Sequence, residues 1–171
     1  MGEDRRGNIL VMKKICLLVL VMLVSGSALA QEKLKDGCVG LNAYDELLCY
    51  VDLAVKLDEV NACDPLAALK YQCYAIFAER KQDERICEKI PGADSGIEDI
   101  QELKDLCFSD VAKVKKDAAI CGKIATGTFR DGCYLQVSKL AGDVAVCEKI
   151  VAAETRNWCK GQPVYIEQNV K

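Results

Sequence analysis

The sequence predicts an all-α fold: a short, disulfide-stapled repeat of helical hairpins, α-solenoid-like, in which long and short helices alternate. Three observations predict it. Cysteines recur at a constant spacing, apolar residues recur at three and four positions, and capping residues stand ahead of each apolar run.

Ten cysteines follow Cys16: Cys38, Cys49, Cys63, Cys73, Cys87, Cys107, Cys121, Cys133, Cys147 and Cys159. Four pairs enclose thirteen residues each: Cys49 with Cys63, Cys73 with Cys87, Cys107 with Cys121, and Cys133 with Cys147. Their flanks repeat as well. An aromatic follows the first cysteine (Tyr50, Tyr74, Phe108, Tyr134), and a small residue stands five after it (Ala54, Ala78, Ala112, Ser138). An acid precedes the second cysteine by four (Glu59, Asp83, Asp117, Asp143), and an aliphatic follows it by three (Leu66, Ile90, Ile124, Ile150). Cys38, with Leu41 three later, joins the second class; Cys159, preceded by Arg156 as Cys133 is by Arg130, joins the first. A fixed period carrying one supersecondary unit is the pattern of stacked repeat proteins.

Along the chain, Asn42 opens a helix to about residue 56, with Leu47, Tyr50, Val51, Ala54 and Leu57 on one face. Asp64-Pro65 places a cap before a proline at the first helical position, predicting a helix to about residue 81. Residues 95–98 (SGIE) read as a capping box that opens a long helix to about residue 115. Residues 128–131 open another, to about residue 140. Between these, Asp58, Asp83, Asp117 and Asp143 cap short helices of about seven residues. Helices that short do not persist alone, so each is expected to owe its order to one disulfide, worth about 3 kcal/mol for such loops. The one alternating stretch is Val164-Tyr165-Ile166 in the tail.

Two pairing schemes compete. The sequential one joins Cys38 with Cys49, Cys63 with Cys73, Cys87 with Cys107, Cys121 with Cys133, and Cys147 with Cys159. The shifted one uses the four constant spacings and strands Cys38 and Cys159 at opposite ends. Completeness favours the sequential scheme, although spacing does not exclude the other.

Lys13-Lys14, the apolar run over residues 15–24 and the small-x-small ending Ala28-Leu29-Ala30 form a secretory signal over residues 1–30, with Met12 the more natural start. A membrane anchor is the alternative, but the run falls short of the roughly 20 residues a bilayer needs. Residues 31–161 then make the cysteine-rich helical domain and 162–171 a C-terminal tail. An even number of cysteines in an exported chain reads as a disulfide framework, secreted or in the cell envelope.

A chain of 171 residues, 51% hydrophobic and 29% charged, suits one modest domain. Its net charge of -3 gives no footprint for nucleic acid, and a membrane partner is expected only if the signal segment is retained. Without histidine, the commonest general base and every imidazole zinc site are missing. No Cys-x-x-Cys occurs, so thioredoxin-like, iron–sulfur and zinc-ribbon spacings are absent, and neither metal nor other cofactor is expected.

The stretches Arg130-Asp131-Gly132-Cys133-Tyr134 and Asp83-Glu84-Arg85-Ile86-Cys87-Glu88-Lys89-Ile90 carry a further likeness. Over about residues 36–160 the chain resembles cysteine-stapled helical-repeat proteins among exported prokaryotic proteins. That resemblance implies an architecture and no catalytic residue. The first period departs from it, with Lys70-Tyr71-Gln72 before Cys73 and Asp64-Pro65 after Cys63.

No cysteine departs from the pattern, so nothing singles out a catalytic thiol, and the chain reads as no enzyme. The expected function is a secreted scaffold that binds a protein or peptide. A thiol–disulfide redox enzyme of the envelope and a purely structural envelope component are the alternatives. The repeated aromatics are expected in the core. Lys70, Lys104, Arg130 and Arg156, three before their cysteines, are expected to pair with acids of a neighbouring helix. Asp94, Glu98, Asp99, Glu102 and Asp105 read as a solvated acidic face. The step from Cys73 to Cys107 is 34 residues against 24 or 26 elsewhere. Insertions in repeats map to one face and often bind. Asp94, Ile97, Glu98, Asp99, Ile100 and Glu102 are therefore the candidate partner-binding residues, with Ile97 and Ile100 expected exposed and a basic or amphipathic partner expected; a tolerated surface insertion with no role is the equal alternative.

Overall fold

A computed structural model describes residues 37–161. Residues 1–30, expected to be a secretory signal, with Cys16 among them, and the Val164–Ile166 stretch lie outside the described residues. Among those described, all regular structure is helical and no strand occurs. The chain divides into two compact units at Glu46 and Leu47. In the first, Asn42 Oδ1 accepts the N–H of Asp45 at 3.1 Å, the hydrogen bond of a helix cap, and Cys38 is buried.

The helices are α1 (Ala43–Leu57), α2 (Lys70–Lys81), α3 (Ile100–Lys115), α4 (Ala118–Cys121), α5 (Gly127–Ala141) and α6 (Ala153–Gly161). Tighter 3₁₀ segments occupy Val60–Leu69, Cys87–Lys89, Ala93–Ser95 and Val144–Lys149. Within the second unit α2 packs on α3, α3 on α5, and α5 on α6. The short segments after Asp83, Asp117 and Asp143 are thus three, four and six residues rather than seven, and two of the three are 3₁₀, where a disulfide and a cap do the ordering.

The disulfides join Cys63 with Cys73, Cys87 with Cys107, Cys121 with Cys133, and Cys147 with Cys159, each with its Cα atoms 5.7 or 5.8 Å apart. These are sequential neighbours. Cys38 and Cys49 are disulfide-bonded too.

The recurring flanks acquire physical roles. Each long helix stops at a residue in the left-handed region: Asp58 (φ 56°), Gln82 (53°), Lys116 (54°) and Gly142 (68°). The next N–H then folds back onto the carbonyl of the small residue: Glu59 onto Ala54, Asp83 onto Ala78, Asp117 onto Ala112, and Asp143 onto Ser138, at 3.0 Å each. This is a Schellman ending, and the small residues whose carbonyls it uses are all buried. The same acids then turn to the next segment. Asp83, Asp117 and Asp143 accept the N–H of Arg85, Ala119 and Ala145. Tyr50, Tyr74, Phe108 and Tyr134 are buried, as are Leu66, Ile90, Ile124 and Ile150.

Four sequence expectations are corrected. Asp58 is the left-handed end of α1 and caps no short helix. Asp64 does not cap a helix reaching residue 81: its carboxylate accepts the Tyr74 hydroxyl at 2.6 Å, and the segment stays 3₁₀ until a kink at Ala67 (φ 47°). The SGIE stretch does not open α3, because Gly96 and Asp99 (φ 72° and 56°) break the helical path and Ser95 Oγ accepts only from Ile97. Among the described residues Arg130 and Arg156 pair with no acid; they donate to the carbonyls of Ile124 and Ile150, at 3.3 and 3.1 Å.

Candidate functional site

The insertion between Cys87 and Cys107 is where the sequence departs from its cysteine spacing. Elsewhere an aspartate two before a cysteine clamps a later turn. Asp105 accepts the N–H groups of Ala125 and Thr126 at 3.0 and 2.9 Å; Asp131 accepts those of Val151 and Ala152 at 3.0 and 2.9 Å. Asp105 is therefore no part of a solvated face: it is wholly buried (0% exposed). Burial alone would push its carboxyl up, but hydrogen bonds from Thr126, Ala125 and Gln101 hold it below the usual carboxylate range.

At the corresponding place on α2 stands Tyr71, and the turn such an aspartate would serve holds Pro91, which has no N–H to give. The insertion is held another way. Gln101 donates to Asp105 at 2.9 Å and accepts the N–H of Ala93 at 3.2 Å, so the loop hangs from a buried carboxylate.

The space left beside Tyr71 is a groove of about 280 Å³. One wall is Ala68, Tyr71 and Gln72; the other runs from Ile97 through Leu103 to Leu106. Ile97 and Leu106 remain 46% and 39% exposed, and Glu98, Asp99 and Glu102 set carboxylates among them. Lys70 lies over the Tyr71 ring, 4.9 Å from its centre, and Tyr74 meets that ring edge-on at 5.9 Å. The ring is held from two sides.

Five of the six candidate residues, Ile97, Glu98, Asp99, Ile100 and Glu102, come together at this groove; Asp94 does not line it. Ile100 corrects its expectation. At 3% exposure it is a core residue, because it begins α3 and turns inward. Sequence reasoning missed Tyr71 and Leu106, although the loss of Arg-Asp before Cys73 marked the place.

No protein-family model matches the chain, and neither does any curated protein or solved structure. What the groove does must therefore be read from its own chemistry.

A second polar concavity, about 370 Å³, lies among Asp58, Lys81, Asp83, Arg85 and Lys89. Four of its five charges are spent on each other: Lys81 pairs with Asp58 at 2.5 Å and Arg85 with Asp83 at 2.7 Å. Among the described residues no cluster of side chains could hold a metal ion, and no helix is long and apolar enough to cross a membrane. Multiple disulfides belong to an oxidising, extracytoplasmic setting.

Proposed function

We propose that the protein is an exported, disulfide-stapled helical-repeat scaffold, solenoid-like in its stacking, whose groove beside residues 97–106 binds a basic, amphipathic protein segment. It belongs on this reading with the cysteine-stapled repeat proteins it resembles, and it acts by binding rather than by catalysis. One observation carries the reading: Ile97 and Leu106 share a groove with Glu98, Asp99 and Glu102. Apolar side chains of a partner would cover the two aliphatics, while lysine or arginine at its edges would meet the carboxylates. An acidic or wholly apolar partner would fit one half of the surface and be rejected by the other.

The test uses two synthetic helical peptides of equal length, one built of leucine and lysine, the other of leucine and glutamate. Fluorescence anisotropy should show binding of the first and not the second. Glu98→Lys with Glu102→Lys should weaken it at least about tenfold, as expected for several lost charge contacts. Equal binding of both peptides, or no effect of the double substitution, would refute the reading.

A further inference from the structure

Ser138 distinguishes one disulfide from the other three whose partners are described above. Its side chain is buried, and its Oγ lies 3.2 Å from Cys147 Sγ and 3.4 Å from Cys159 Sγ. Disulfide sulfurs carry no hydrogen, so the hydroxyl is the donor. At the equivalent positions stand Ala54, Ala78 and Ala112, which have no proton to offer.

The same disulfide anchors α6, a helix of only nine residues. Helix α3 has long helices on both sides, α2 and α5, whereas α6 packs on α5 and on the Val144–Lys149 segment. A helix this short has little stability of its own, so opening it is cheaper than opening α3. Opening would bare Cys159 while Cys147 stays beside Ser138. Trp158, next to Cys159 in the chain, is half-exposed and carries Lys139 over its ring at 4.1 Å.

We propose that Cys147–Cys159 is a thiol-exchange site that takes an external dithiol, with Ser138 donating its hydrogen bond to the departing Cys147 sulfur. One thiolate of the dithiol attacks Cys159 Sγ; a mixed disulfide forms, the Cys147–Cys159 bond breaks, and Cys147 leaves as a thiolate. The second thiol of the dithiol, deprotonated, attacks its own sulfur in the mixed disulfide and releases Cys159. The dithiol departs oxidised to a disulfide, its two protons end on Cys147 and Cys159, and the protein has gained two electrons. Stabilising the leaving thiolate speeds the first of these steps. The site is independent of the groove beside residues 97–106.

The experiment is limited reduction of the folded, oxidised protein with dithiothreitol, quenching by alkylation, and mass spectrometry of each labelled cysteine. Cys147 and Cys159 should be labelled first. Ser138→Ala, the residue found at the other periods, should slow that labelling about three- to tenfold, since a hydrogen bond to a charged atom is lost. The converse substitution Ala112→Ser, which sets a hydroxyl beside Cys121–Cys133, should speed reduction of that pair. Earlier labelling of any other pair, or an unchanged rate in Ser138→Ala, would overturn the proposal.

Discussion

Asp105, wholly buried on α3, accepts the main-chain N–H of Thr126, twenty-one residues further on, at 2.9 Å. Asp131 repeats this toward Ala152, at the same distance and the same separation. A turn with no regular structure of its own is thus fixed by a carboxylate from the preceding long helix, and the arginine beside Asp131 fixes the carbonyl of its own turn. The Arg-Asp pair before a cysteine is a two-sided turn clamp.

Asp105→Asn should therefore destabilise the fold by about 1.5–3 kcal/mol, the usual worth of a hydrogen bond to a charged group. The amide keeps one acceptor and turns a donor toward N–H groups. Urea unfolding followed by circular dichroism measures it; a loss under about 0.5 kcal/mol would mean that the clamp is ornamental.

The same carboxylate sets an acid limit. Its folded-state titration lies below the ordinary aspartate range. Its stabilisation is complete above the unfolded value, near pH 4, and is lost as pH falls from there through the folded value. Stability of the parent should fall more steeply than that of Asp105→Asn between about pH 4 and pH 2, with parallel curves above about pH 5. Curves that become parallel only above pH 6 would assign the effect to another group.

Lys116 ends α3 in the left-handed conformation at φ 54°, where α5 uses Gly142. A side chain there is strained by about 1 kcal/mol or more, only partly offset by the freedom glycine gains when unfolded. Lys116→Gly should raise stability by about 0.5 kcal/mol, read as a higher urea midpoint at unchanged slope. A lower midpoint would show that the lysine contributes more than its backbone costs.

Much of this was legible in the sequence, and for local reasons. Caps such as Asp117 and Asp143 act within two residues, so pattern alone reveals them. The small residues at positions 54, 78, 112 and 138 recur in the pattern, but their carbonyls' role in ending each long helix is set by backbone geometry that spacing alone does not show. The burial of Asp105 is not legible, because the N–H groups it serves lie twenty residues away: by pattern it is one more acid after Glu98, Asp99 and Glu102. Asp64-Pro65 carries the signature of a helix start, yet a tyrosine ten residues on takes the carboxylate for itself. Ile100 sits in an acidic stretch, and only the start of α3 decides that it faces the core.

Deleting residues 92–99 tests the central claim, that binding resides in the departure from period. The deletion cuts the Cys87–Cys107 separation from 20 to the 12 found for Cys121–Cys133 and Cys147–Cys159, so the disulfide should still close. Pro91 would then lead into Ile100 much as Ala125-Thr126 leads into α5. The account predicts retained helicity and disulfides, with binding of the leucine–lysine peptide lost in the anisotropy measurement. Undiminished binding by this shortened, folded protein would contradict it.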